Sequence, residues 1–276
     1  MLVRFSADLG RLLRYLETRR ESSGVEITVS HIALKAAAIA LTENSKLNGH
    51  MICGRFYESI SKDVNVSTSL DMVGADSVMM RVDHADLKPI DYIADEIKRR
   101  EKDLKDGKDV AWRRTVRLLG YLPPVVSGAV LSALNIVGGR YGITIPFLGV
   151  VGFPHGACTV ITLPSKDSTD GEIDVALIPS AHETAAPISI TIGGVRLQPM
   201  FDQDNKLAAT HVLNVAITVD SNVGSLAVAK KFCGRVQQLM NSPNLLDKAD
   251  RVAAVSREDE KVKAEKAASH AAIFQK

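Results

Sequence analysis

The side chains able to do chemistry are spread along this sequence rather than gathered into one motif. His211 stands in an alternating, strand-like stretch, His155 follows Pro154 in a turn, and His31 sits beside Ser30 at a helix start. An imidazole is the natural proton acceptor near neutral pH, so His211 and His155 are candidate bases. A lone histidine in such places more often serves the fold as a hydrogen-bonding group. Cys53, Cys158 and Cys233 are far apart and odd in number, which matches neither a disulfide framework nor paired zinc ligands. That cysteine usage suggests a reducing compartment. Histidines, cysteines and acids nowhere take metal-ligand spacing. Ser127-Gly128 and Asp220-Ser221 are serine contexts without a Gly-x-Ser-x-Gly elbow. Gly138-Gly139 and Gly193-Gly194 are turn signals and form no phosphate-cradling pattern.

The elements around these residues read as alternating helix and strand. Ser6 is a candidate cap for a helix with Leu9, Leu12, Leu13 and Leu16 on one face, ended by Gly24. An extended stretch over 25–29 leads to an alanine-rich helix over 31–41, with Ser30 at its start. Alternation predicts strands over 51–57, 64–70 and 77–82, and Ile90, Ile93 and Ile97 mark the buried face of a helix over 86–103. Further strands are expected at 143–145, 157–163, 173–178, 188–195 and 212–219, with a turn at 202–205. A helix from about Ser225 to Met240 closes the pattern and is stopped by Asn241-Ser242-Pro243.

Composition sets outer bounds. The chain has 276 residues, 46% hydrophobic and 24% charged, enough to bury a full core. Net charge is only +2 with the signs interspersed, which gives nucleic acid no electrostatic footing. The start of the sequence has no apolar run of a secretory signal, so a secreted protein is not expected. Leu118 to Val137 carries no charge and is long enough for a membrane span. Pro123-Pro124 and the interspersed Ser127, Ser132 and Asn135 argue for buried or groove-covering helices there. From residue 247 to 276 alternating charges and alanines leave little to bury, and a flexible or helical tail is expected. Residues 1–246 form the expected folded domain.

Several segments, in order, resemble the catalytic core of the 2-oxo acid dehydrogenase acyltransferases, the E2 components, and more distantly chloramphenicol acetyltransferase. Ile27-Thr28-Val29-Ser30-His31-Ile32-Ala33-Leu34-Lys35-Ala36-Ala37-Ala38 is similar to that family's extended entry into an alanine-rich helix, which ends near an asparagine, here Asn48. Gly142 to Gly149 resembles its Thr-Ile-Ser-x-Leu-Gly strand, and Phe153 to Cys158 its Pro-Gln-Ala-Cys segment. Pro199 through Asp220 resembles the hairpin leading into its Asp-His-Arg-x-x-Asp-Gly motif.

That resemblance implies an α/β fold, a chloramphenicol acetyltransferase-like two-layer sandwich of a mixed β-sheet with helices packed on one side, opening within the core's first strand. It implies a homo-oligomer, a trimer, or a subunit of a larger complex. In the family the motif histidine takes the proton of a thiol that attacks an acyl thioester, so coenzyme A or acyl-CoA is the implied acyl carrier. Here the motif reads Asp220-Ser221-Asn222-Val223-Gly224-Ser225-Leu226. Ser221 stands at the histidine position, Ser225 at the second aspartate, and Pro146 or Phe147 at the serine that would hold the oxyanion. A hydroxyl is no useful base near pH 7. Three readings result: a non-catalytic assembly subunit, a CoA-dependent acyltransferase that recruits His211 or His155 as base, and a component docked to a membrane through 118–137. The mitochondrial matrix or the cytoplasm is the expected compartment.

Overall fold

A computed structural model describes residues 1–52, 54–59, 63–71, 77–106, 121, 123–145, 152–153, 155–162, 186–201, 207–223 and 225–247. The chain opens with strand β1 (Leu2–Asp8), whose alternation buries Phe5 and Ala7. Helix α1 (Leu9–Ser23) follows, and Asp8 caps it by accepting from the Gly10 and Arg11 N–H groups at 2.9 and 3.3 Å. Ser6 is therefore a strand residue and not the cap. Gly24 ends α1 in the left-handed conformation, as its position suggested. Helix α2 (Val29–Glu43) is capped at Thr28, two residues before the expected Ser30.

All of His31 to Leu41 is buried, and the run of alanines lets other elements approach α2 on several sides. Hairpin strands β2 (Gly49–Ile52) and β3 (Arg55–Glu58) form a separate two-stranded ribbon. Strands β4 (Val66–Asp71) and β5 (Ser77–Val82) lead to helix α3 (Ile90–Lys105), which buries Ile90, Ile93 and Ile97 as the spacing predicts. Helix α4 (Pro124–Asn135) passes into a π turn at Ile136–Arg140. Strands β6 (Cys158–Thr162), β7 (Ile188–Phe201) and β8 (Leu207–Val219) and helix α5 (Leu226–Asn241) complete the order.

Six strands make one mixed sheet in the order β1-β8-β7-β6-β4-β5. β4, β6 and β7 run parallel, and the other pairings are antiparallel. The sheet's apolar rows, such as Val160, Ile190 and Ile217, are buried beneath α1, α2 and α5. This is the two-layer α/β arrangement expected from the sequence. On the opposite face the aligned row Ser67, Thr159, Ser189 and Thr218 is buried too, but it is made of hydroxyls.

Lys35 is wholly buried in α2. Its ammonium donates to the carbonyls of Ala85, Asp86 and Lys88 at 3.3, 2.8 and 2.6 Å, which fixes the turn between β5 and α3. Of the stretch 118–137, expected to form buried or groove-covering helices, the described part is α4 and the start of the π turn, where Val125 is 84% and Ile136 48% exposed in the single chain. Among the described residues no helix is long and apolar enough to cross a membrane. The strand expected at 173–178, the turn at 202–205 and the tail after Asp247 lie outside the described residues.

Candidate functional site

The loop that follows β8 carries Ser221 and Ser225, and its shape is set by its own backbone. Asp220 N–H donates to the Pro187 carbonyl at 2.9 Å, which ties the loop to the start of β7. The Asp220 carboxylate accepts from Asn222 N–H at 2.8 Å, and Val223 N–H returns to the Asp220 carbonyl at 3.2 Å. This closes a tight Asx-type turn. Val223 is buried and anchors the turn from below, while Ser221, Asn222 and Ser225 are exposed. Ser225 is the N-cap residue of α5, and its hydroxyl makes no capping bond. Ser221 and Ser225 thus lie four residues apart on one short loop. Neither has an imidazole beside it on that loop to activate it.

Asn222 reaches sideways, donating to the carbonyl of Gly54 at the tip of the β2–β3 hairpin, 3.2 Å away. The hairpin in turn meets the loop before β6. His50 of β2 stacks on Phe153 with ring centroids 3.9 Å apart and planes 3° from parallel. The Arg81 guanidinium donates to the carbonyls of Gly152 and Phe153, and Thr144 Oγ1 accepts from Gly152 N–H at 3.0 Å. Phe153 adopts a positive φ of 48°, and Gly156, at φ 61°, lies so close to Asn65 that a Cβ would fall 2.4 Å from its carbonyl oxygen. Only glycine fits there.

His155 sits in this loop half-buried, and its carbonyl accepts from Ser67 Oγ at 2.7 Å. The sequence singled out His155, but His50 went unnoticed. Nothing in the pattern Gly49-His50-Met51 announces that a loop a hundred residues later will cover the ring. Burial lowers the basicity of both. His50 is held down to about 4 by desolvation, with the nearby Arg81 charge adding to this and the Gly156 carbonyl opposing it. Burial likewise lowers His155. A general base works best with a pKa near the operating pH, and these two are displaced to the weak side.

The other candidates lie elsewhere. His211 is exposed on β8 opposite Leu197, eight residues from the strand's end at Val219. At the rise of a strand that places it roughly 25 Å or more from the loop. His31 is the third residue of α2, where its Nδ1 accepts from Thr28 N–H at 3.0 Å in a reciprocal cap. Desolvation lowers its pKa to about 4, opposed by Glu26. Cys158 and Cys233 are buried and their thiols are pushed up, Cys233 to about 11, so neither is a ready nucleophile. Pro146, Phe147 and Cys53 lie outside the described residues. Among the described residues no group of three metal-ligating side chains occurs.

No family profile and no curated protein sequence matches the chain. Solved structures do. Dihydrolipoamide acetyltransferase of Azotobacter vinelandii superposes with a TM-score of 0.61 at 16% identity, covering 89% of this chain and 83% of that one. The cubic core of the pyruvate dehydrogenase multienzyme complex gives 0.60 at 15% identity, with the same coverage of 89% and 83%. A truncated catalytic core of the 2-oxoacid dehydrogenase multienzyme complex from Thermoplasma acidophilum gives 0.55 at 12% identity, covering 88% and 87%. The fold is that of the acyltransferase cores.

Proposed function

We propose that this chain is a non-catalytic subunit with the acyltransferase-core fold, serving as an assembly component of a homo-oligomer or a larger complex. The observation that carries the reading is the exposed Ser221 on the loop after β8, the residue that the sequence resemblance aligns with the base of the acyltransferase cores. In the Azotobacter protein the catalytic mechanism has been examined through a serine, a histidine and an asparagine, the last two four residues apart. Ser221 and Ser225 keep that spacing of four but carry only hydroxyls. The frame is kept while the groups that would move a proton or hold an oxyanion are replaced. Loss of a base and of an oxyanion donor each removes roughly two powers of ten in rate.

Two further observations support assembly. The neighbours are cores of multienzyme complexes. Some apolar side chains of α4 are also exposed in the single chain, with Val125 84% and Val126 45% exposed. A trimer with α4 against a neighbouring subunit would cover them. Acyl transfer from acetyl-CoA to dihydrolipoamide, followed as free CoA beside an authentic core, tests the catalytic half: turnover within about a hundredfold of the control would overturn it. Sedimentation tests the other half, and a monodisperse monomer would argue against an assembly subunit.

The second reading is a CoA-dependent acyltransferase with a recruited base. The contact of Asn222 with the His50 hairpin favours His50 or His155 over His211, which stands at the far end of β8. It requires that His50→Phe or His155→Ala abolish a measurable turnover.

A further inference from the structure

Beneath the head of α2 lies a cavity of about 390 Å³, lined among others by Thr28, Ser30, His31, Thr68 and Thr162, with Ala94 and Ile97 of α3 on its apolar side. Its position is defined by topology. Thr162 is the last residue of β6, and Thr68 is the third residue of β4, which runs parallel to it. The loop with Ser221 leaves the end of β8, and Val219 at that end pairs with Ile188 at the amino end of β7. The cavity and the serine loop are therefore on opposite edges of one sheet. On the helix-covered face, the buried apolar residues Val66, Cys158, Val160 and Ile190 give way to hydroxyls only at the cavity edge. The carboxyl ends of parallel strands facing a helix N-terminus are where open α/β sheets take ligands.

A second observation points to a ligand. His31 is 8% exposed, and its Nδ1 accepts from a backbone N–H, which can only donate, so the neutral ring carries its proton on Nε2. No described residue accepts that proton, and the ring lines the cavity. Ser30 Oγ and Thr162 Oγ1 lie 2.6 Å apart beside it. At the mouth Glu26 faces Lys98 at 3.9 Å and Glu101 pairs with Lys105 at 2.5 Å, so the charges there are balanced. What remains is an imidazole donor, a hydroxyl pair with one proton left over from its mutual bond, and the positive end of a fifteen-residue helix. Those groups suit a single negative charge, and the two mouth carboxylates disfavour a doubly charged one. The apolar side suits a short carbon chain, and the volume is within the range of small-molecule pockets.

We propose that this cavity binds a small organic monocarboxylate, its oxygens held by His31 Nε2–H and by the one proton of the Ser30–Thr162 hydroxyl pair not spent between them, and its carbon chain against Ala94 and Ile97. The site is independent of the serine loop and of any acyl transfer there. The test is a titration of histidine-labelled protein with sodium butyrate at neutral pH, read at the His31 ring resonances, with 1-butanol as the neutral control of like size. The expected result is a saturable shift with butyrate and none with butanol.

His31→Glu keeps an acceptor for the Thr28 N–H, as glutamate commonly does at this helix position, but replaces the donor by a negative group. Read by calorimetry, because the reporting ring is gone, it should weaken butyrate at least about tenfold. Thr162→Val, which disturbs no cap, should weaken it about threefold and keeps the test open if the first variant unfolds. Absence of a saturable shift, an equal response to butanol, or wild-type affinity in the folded variants would overturn the proposal.

Discussion

The two edges of the sheet use similar residues in opposite ways. At the amino ends of β4, β6 and β7, hydroxyls and imidazoles are either fully exposed, as Ser221 and Ser225 are, or committed to the fold, as His50 is under Phe153. Towards the carboxyl end of β6, His31, Thr68 and Thr162 surround an open volume, and the His31 ring keeps its Nε2–H unspent. α2 joins the edges, with its head over the cavity and Lys35, further along, holding the β5–α3 turn. Side-chain type alone does not make a site. A site also needs space in front of a group whose orientation is fixed from behind.

The sharpest way to break this contrast is at the serine edge. If the chain is the non-catalytic subunit proposed above, acetyl transfer to dihydrolipoamide should run about 10⁴-fold or more below an authentic core, two contributions of about a hundredfold each being absent. CoA release measures it. Next, Lys35→Met should lower stability by about 3 kcal/mol, since three buried carbonyls lose their donor, and a denaturant titration would show it as an earlier midpoint. Gly156→Ala should cost about 2 kcal/mol or more from the positive φ and the Asn65 contact, and should disturb the His50 resonance while leaving His31 unchanged.

The histidines of both edges share one pH signature. Unfolded, each imidazole takes up a proton as pH falls through about 6.5, whereas burial keeps His31 and His50 neutral in the folded chain down to about 4. Stability is thus fully present above about 6.5 and is lost as pH falls towards 4, by on the order of 2 kcal/mol per histidine. His50→Phe should flatten part of that slope in thermal melts across the window. The smallest effect belongs to Ser221→Ala. An exposed hydroxyl there should change stability by less than about 0.5 kcal/mol and alter no transfer rate.

Much of the architecture was legible because local periodicity and burial coincide. Ser77 to Val82 is the strand its alternation predicts, and Leu213, Val215, Ile217 and Val219 are the inward residues of β8 as read. Misreading came where two patterns overlap. Val3, Phe5 and Ala7 alternate just before the leucines of α1 begin, and both Ser6 and Asp8 are cap-forming types. The parallel pairing of β4, β6 and β7 and the stacking of His50 on Phe153 are long-range facts that no local period encodes. The serine pair was visible because it interrupts a motif. The cavity at the head of α2 was not, because its residues come from four separate elements.

The edge strand β1 pairs with β8 in a register that joins Leu2 to Thr218, partners 216 residues apart by their numbers, and the Met1 carbonyl accepts from Val219 N–H at 2.8 Å. During synthesis the opening strand must wait for most of the chain before its place in the sheet exists. At ordinary elongation rates the delay is on the order of ten to forty seconds, with Val3 and Phe5 unburied throughout. This protein is consequently one whose folding on the ribosome should be limited by arrival of β8, and whose newly made chains should depend on being shielded until then.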